Sequence, residues 1–443
     1  MDFVVKARRF FEGKLFYAFL VLLSACFVVF KWEAYGAIIL LNIGAVALLF
    51  CENILSAFLP ALLASTFVIK CYDSASLFLP LWWTALFPVA AIVAYLIIYK
   101  RKITVGKSFW GILAVAVSVT LGGAFTLSPA DYFSGASMYY VIMLGFGMLA
   151  AYLLIRSHVV ENVGYDVFER FADMMLTVGA FASFVVFEHY VRNLQETLFV
   201  GNLAEVQWSN NIATILMITM PFGIYKMKKG IGYIAFFVAN YAAILLAASR
   251  GGWLMGTLEF CICLVVGIFF IKLEKPKKTL LSVFGILIVV GGLVGVFLMA
   301  KDMKEASFII HRADSRVNLF VRSFEDFLNN PVFGSGLGNR GNADIYDGKQ
   351  GTITWYHMMI PQIVGSLGLV GIFCYGKQMV ERFGMMFSKP SPYVLTLGLS
   401  YVGLLLMSQV NPGEFCPLPY ELLAVVNFIM IEKYNEKNKG LSH

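Results

Sequence analysis

The sequence predicts an all-α polytopic membrane protein with about 12–14 transmembrane helices. Three observations carry this expectation. Hydrophobic residues make up 59% of the 443-residue chain and charged residues only 14%, whereas soluble domains carry roughly a quarter. Apolar runs separated by short charged links fill nearly the whole length. Each run has 15–23 residues, close to the ~20 that a helix needs to cross hydrocarbon. Barrel strands are excluded, because they are only ~10 residues long and alternate in polarity.

In order, the runs are 15–30, 34–50, 54–69, 77–99, 109–127, 137–155, 171–191, 210–225, 231–248, 253–271, 280–299, 358–376, 393–407 and 417–431. The first three, the eighth and the thirteenth are short. Lysine and arginine fix the orientation, since they gather in cytoplasmic links. With the N-terminus inside, it, the even-numbered links and the tail together hold 23 of the 34 basic residues, among them Lys100, Arg156, Lys228, Lys278 and Arg382. Seven of the remaining eleven lie in one outer loop, 300–356. Both termini are therefore expected in the cytoplasm. The net charge of +7 reflects this topology and does not call for a nucleic-acid partner.

The string Leu23-Ser-Ala-Cys26 has the form of a lipoprotein cleavage box, but the apolar run continues past it and reads as an ordinary first helix. Seven cysteines are scattered without metal-ligand spacing, and buried thiols are usually small hydrophobes. Cys71 and Cys416 both fall near the outer face.

Arg250 stands between two runs in Ser249-Arg-Gly-Gly-Trp253. A charge at membrane depth is costly unless it meets a partner, so it marks a functional site; the bland alternative is a helix-end anchor. The outer loop carries most of the remaining chemistry. Asp314-Ser315 reads as a helix N-cap, and apolar residues at 317, 320, 321, 324, 327 and 328 continue at helical spacing. That apolar face is expected on the membrane surface or the bundle, with Glu325 and Asp326 on the polar side. Asn329-Asn-Pro331 ends the helix, and the glycines from Gly334 to Gly341 give a flexible turn. His357 follows Trp355 and Tyr356 at the mouth of the next run.

Parity puts Arg250, Arg312, Arg316, Arg322, Arg340, His311 and His357 on the outer side. Arginine grips phosphate oxygens with a bidentate fork, and pyrophosphate leaves only if its growing charge is stabilised. Histidine takes a proton from an attacking hydroxyl. Taken singly, Arg312, Arg322 and Arg340 read as solvated surface charges, and His357 as an interface residue or a base. No tight carboxylate set lies on this side, so neither metal nor cofactor is expected.

The order Ser249-Arg-Gly-Gly-Trp253, Ser315-Arg-Val-Asn-Leu-Phe320, Asn330-Pro-Val-Phe-Gly-Ser-Gly-Leu-Gly338, His357 and Gly365-Ser-Leu-Gly-Leu-Val-Gly371 resembles the O-antigen ligase and polymerase family. These are bacterial integral membrane glycosyltransferases of GT-C type. The resemblance is concentrated in residues 249–371; elsewhere only the stack of spans is alike. It implies a donor glycan on undecaprenyl pyrophosphate, held by Arg250 and Arg316, with His357 beside the attacking hydroxyl and no metal. The family's histidine is commonly followed by asparagine; here Met358 follows.

The expected organisation is N-terminal spans over 1–230, a catalytic region over 231–376 that includes the outer loop, and C-terminal spans with a cytoplasmic tail over 377–443. The expected activity is transfer of a glycan to a hydroxyl of a glycan, lipid or protein acceptor on the outer face of a bacterial cytoplasmic membrane. The motifs do not separate ligase from polymerase. The rival class is a polysaccharide flippase, which carries charges within its spans; this chain keeps its runs nearly free of arginine and lysine.

Overall fold

The computed structural model describes residues 2–70, 78–161, 164–193, 206–247, 249–271, 273–300, 303–337, 356–411 and 413–440. Each of the fourteen apolar runs carries helix, and no strand occurs among the described residues. Solvent explains this: in hydrocarbon a backbone must satisfy its own N–H and C=O groups, and a helix does so within one segment. Six helices are long and apolar enough to cross a membrane: Glu33–Phe50, Pro80–Ile98, Ser137–His158, Val167–Arg192, Arg250–Phe269 and Met359–Ser388. Phe3–Phe11 and Lys14–Val29, bent by 64°, form a seventh if taken together. Ile54–Val68, Phe109–Leu121, Gly232–Leu246 and Pro392–Ser408 are apolar but shorter. The chain is thus an all-helical, multi-pass membrane protein.

Contacts divide it into two compact units, Met1–Val105 with Leu153–Phe260, and Gly106–Tyr152 with Cys261–His443.

In the first unit the links sort by parity. Arg8 donates to the Phe50 carbonyl at 3.1 Å, and Arg170 donates to the Phe11 carbonyl at 2.9 Å. Asn53 donates to the Val160 carbonyl at 3.0 Å, and Arg156 to the Thr104 hydroxyl at 2.6 Å. Lys226 and Lys229 both reach Glu169, at 2.7 and 2.6 Å. The N-terminus and the links before the third, fifth, seventh and ninth runs therefore meet at one end. The other end joins Arg192 to the Val29 carbonyl at 2.9 Å and Tyr190 to the Leu246 carbonyl at 2.5 Å. Reporter fusions after Lys102, Lys229, Lys278 and Lys437 are expected to report cytoplasm, and fusions within 342–351 the exterior. An intracellular signal from that segment would reverse the orientation.

Between these ends the unit is pinned by polar contacts. Asn240 accepts from Ser183 at 2.6 Å and donates to Thr219 at 3.2 Å, all three being buried. Gly179 makes room, since a Cβ there would lie 2.5 Å from the Thr219 hydroxyl oxygen. Small residues that admit hydrogen-bonded neighbours are the usual glue between helices in lipid.

The second unit is organised by a broken helix. Met359–Ser388 is interrupted at Gly368, whose φ of 61° lies in the left-handed region. A break frees backbone groups that a bilayer cannot satisfy. The segment after the loop helix Met303–Asn329 supplies their partners. Ser335 and Gly336 donate N–H groups to the carbonyls of Gly365 and Ser366, each at 2.9 Å. In return Leu369 donates to Pro331 at 2.8 Å and Val370 to Val332 at 3.1 Å. The two glycine-rich motifs are therefore one interlock. Residues 334–337 are buried, which corrects the reading of this stretch as the start of a flexible turn.

Gly334 has φ of 69°, and a Cβ on it would lie 2.3 Å from the Ser366 carbonyl carbon. A left-handed side-chain residue costs ~1–2 kcal/mol, and forced overpacking a further ~1–3 kcal/mol. Gly334→Ala is expected to lower thermal stability in detergent by about the sum. Wild-type melting of that variant would show that the interlock is loose.

The structure also corrects two local readings. The loop helix is continuous from Met303, so the backbone of Asp314-Ser315 lies inside it and not at its start. Arg382, read as part of a cytoplasmic link, lies within Met359–Ser388 and is only 2% exposed.

Candidate functional site

The best-defined site of the second unit lies where the loop helix meets the start of the broken helix. One terminal nitrogen of Arg316 donates to two carbonyls, His357 at 3.1 Å and Val410 at 2.6 Å. It thereby ties together the loop helix, the mouth of the broken helix and the turn after Pro392–Ser408. His357 has φ of 54°, a conformation uncommon for any residue other than glycine and one that clusters at functional sites.

A buried network fixes this conformation from behind. Tyr356 donates its hydroxyl to Asp326 and its N–H to Gln362 at 3.0 Å. Gln362 in turn donates to Ser366 at 2.9 Å. The Tyr356 ring lies on Gly365, where a Cβ would come within 2.8 Å of it. Arg322 forms an ion pair with Asp326 at 3.2 Å. Burial, and then the charge of Arg316, hold the His357 imidazole down to about 4. It is therefore neutral at physiological pH and able to accept a proton.

The loop helix turns its polar side inward. Ser323 and Asp326 are buried, whereas Phe320, Phe324 and Leu328 are 42%, 44% and 75% exposed. The spacing puts Asp326 on the polar side of this helix, and there it is buried. The exposed stripe is the apolar face that the spacing assigned to the membrane surface or the bundle.

Arg250 belongs to the first unit. It opens the helix Arg250–Phe269 and is exposed. Ser249 caps that helix, accepting from the Gly252 N–H at 2.9 Å while donating to Asn210 at 2.6 Å. The cap explains why a serine precedes the arginine. Of the other candidates, the backbone of Arg312 is in the loop helix but its side chain lies outside the described residues, as does all of Arg340. The Cys71–Cys416 pairing also lies outside them.

Arg316 and His357 are thus brought together, with Arg322 joined through Asp326 and Tyr356. Sequence reasoning missed Asp326 and Gln362 as positioning groups and Val410 as an acceptor. For Gln362 a signal existed, an amide five residues into an apolar run. For the Val410 carbonyl there was none.

A second polar cluster was also missed. Arg382 donates to the Tyr401 hydroxyl at 3.0 Å, lies 3.3 Å from Glu414 and pairs with Glu421. Its guanidinium also stands over the rings of Tyr401 and Phe428, at 4.8 and 5.3 Å. Among the described residues no group of three or more His, Cys, Asp or Glu has metal-binding geometry. No protein-family model, no curated protein and no solved structure matches the chain.

Proposed function

We propose that the protein is a GT-C-type glycosyltransferase of the bacterial cytoplasmic membrane. It moves a glycan from undecaprenyl pyrophosphate to an acceptor hydroxyl at the outer face. The observation that carries this reading is the hydrogen bond from Arg316 to the backbone of His357 at one helix mouth, which brings the two residues together. His357 takes the proton of the acceptor hydroxyl as its oxygen bonds to the anomeric carbon. The bond from that carbon to the pyrophosphate oxygen breaks, and the departing anion is stabilised by Arg316. The proton then passes to solvent.

The test is reconstitution in vesicles with a synthetic polyprenyl-pyrophosphate oligosaccharide and a soluble saccharide acceptor. Release of polyprenyl pyrophosphate together with a lengthened acceptor supports transfer. Neither product, from folded protein with its acceptor varied across glycan, lipid and peptide, would sink the reading. One observation favours the flippase alternative: charges do lie within the helices, at Arg382, Glu414 and Glu421. The same vesicles separate the two, because a flippase moves fluorescent donor between leaflets without altering it.

A further inference from the structure

The Arg382 cluster holds one cation against two carboxyl groups. Arg382, Glu414 and Glu421 are 2%, 1% and 4% exposed. Among the described residues, Met359–Ser388 contributes Tyr375 and Arg382, Pro392–Ser408 contributes Tyr401, and the turn and last helix contribute Glu414, Glu421 and Phe428. Tyr140 approaches from the 140–147 segment. Phe109–Leu121, which packs along the broken helix, has no titratable residue. Lys377 and Glu381 pair with each other at 2.6 Å and leave the cluster's charge unchanged.

With both glutamates ionised the cluster would carry a net negative charge away from water, which is strongly disfavoured. Two further observations point to what neutralises it. The carboxyl oxygens of Glu414 and Glu421 converge on one guanidinium nitrogen of Arg382, at 3.3 and 3.5 Å, and neither carboxyl can donate to the other unless one is protonated. Glu414 Oε1 is also buried with no hydrogen-bond donor from the protein. We infer that Glu414 and Glu421 share one bound proton, making a buried proton-binding site on Arg382.

The site has a structural setting. The chain entering Glu414 folds back on Pro392–Ser408: Glu414 donates its N–H to Ser408 at 3.2 Å, and a Cβ on Gly413 would lie 2.8 Å from Leu404. Four residues before Glu414, the Val410 carbonyl accepts from Arg316. The proton therefore holds down a segment whose other end is part of the candidate site.

Glutamine tests this, because it is neutral, has glutamate's shape, and donates where the shared proton would. Glu414→Gln and Glu421→Gln are made singly and the purified proteins melted in detergent from pH 6 to pH 9. At pH 7 at least one variant is expected to melt within ~2 °C of wild type, and its infrared spectrum to have lost one protonated-carboxyl band. A carboxyl kept protonated by the fold stabilises at low pH and loses that contribution as pH rises, so wild type should weaken towards pH 9 more than the variants. Arg382→Gln strands two carboxyls without a cation and should melt far lower. Failure of both glutamine variants to fold, or an unchanged infrared band in both, overturns the inference, since either would mean two ionised carboxylates.

Discussion

Replacing Arg316 with alanine is expected to lower glycan transfer by ~10²–10³-fold, the usual cost of removing one donor aimed at developing negative charge. Its guanidinium bridges the carbonyls of His357 and Val410. Charge-assisted hydrogen bonds of this kind contribute ~1.5–3 kcal/mol each. Arg316→Lys keeps the charge but replaces a planar fork with a compact ammonium, so it should recover only a small part of the rate. The informative measurement is turnover at saturating donor, alongside donor binding and melting temperature. A charge that stabilises the departing pyrophosphate lowers turnover more than it weakens binding. Wild-type turnover in Arg316→Ala would remove it from the chemistry.

His357→Gln is expected to cost ~10²–10⁴-fold in turnover, the range for a general base, while donor binding stays near normal. The backbone dictates the control. His357 sits at φ of 54°, where asparagine is tolerated better than most residues, so His357→Asn reports loss of the imidazole with the least added strain. The pH profile follows from the same geometry. Burial and Arg316 hold the imidazole down to about 4, and only its neutral form accepts a proton. Transfer should therefore be flat from pH 8 to pH 5 and fall only as pH approaches about 4. An inflection near the ordinary histidine value of ~6.5 would mean that the imidazole is exposed and not held by this site.

Where the solvent dictates the structure, the sequence was readable. Every apolar run carries helix because lipid offers no alternative, and the links of the first unit gather by parity at one end. Features that depend on partners distant in sequence were hidden. Arg382 resembled any link residue, since its carboxylates lie 32 and 39 positions away. Spacing gave Asp326 a polar side of its helix but not its burial, because its partner Tyr356 is 30 positions on. The start of the loop helix was misplaced because Asp314-Ser315 has the residue types of a cap, and nothing local excludes helix on both sides. The glycines at 334 and 336 signalled backbone freedom, but not that a broken helix needed their N–H groups. The meeting of Arg316 and His357 was expected from the family resemblance; the carbonyl contacts that fix it were not.

The interlock has a consequence for how the outer loop can change. Ser335 donates to the Gly365 carbonyl, and Tyr356 lies against the same glycine. Ser335 and Tyr356, the described residues that flank 338–355, thus meet at one glycine of the fold. Closing chain between two fixed ends costs only ~0.6 kcal/mol more for each doubling of its length. Insertions and wholesale replacements between those two anchors would therefore be nearly invisible to the stability of the bundle. A lineage of such proteins could rewrite that stretch freely and still inherit the same clasp beneath it.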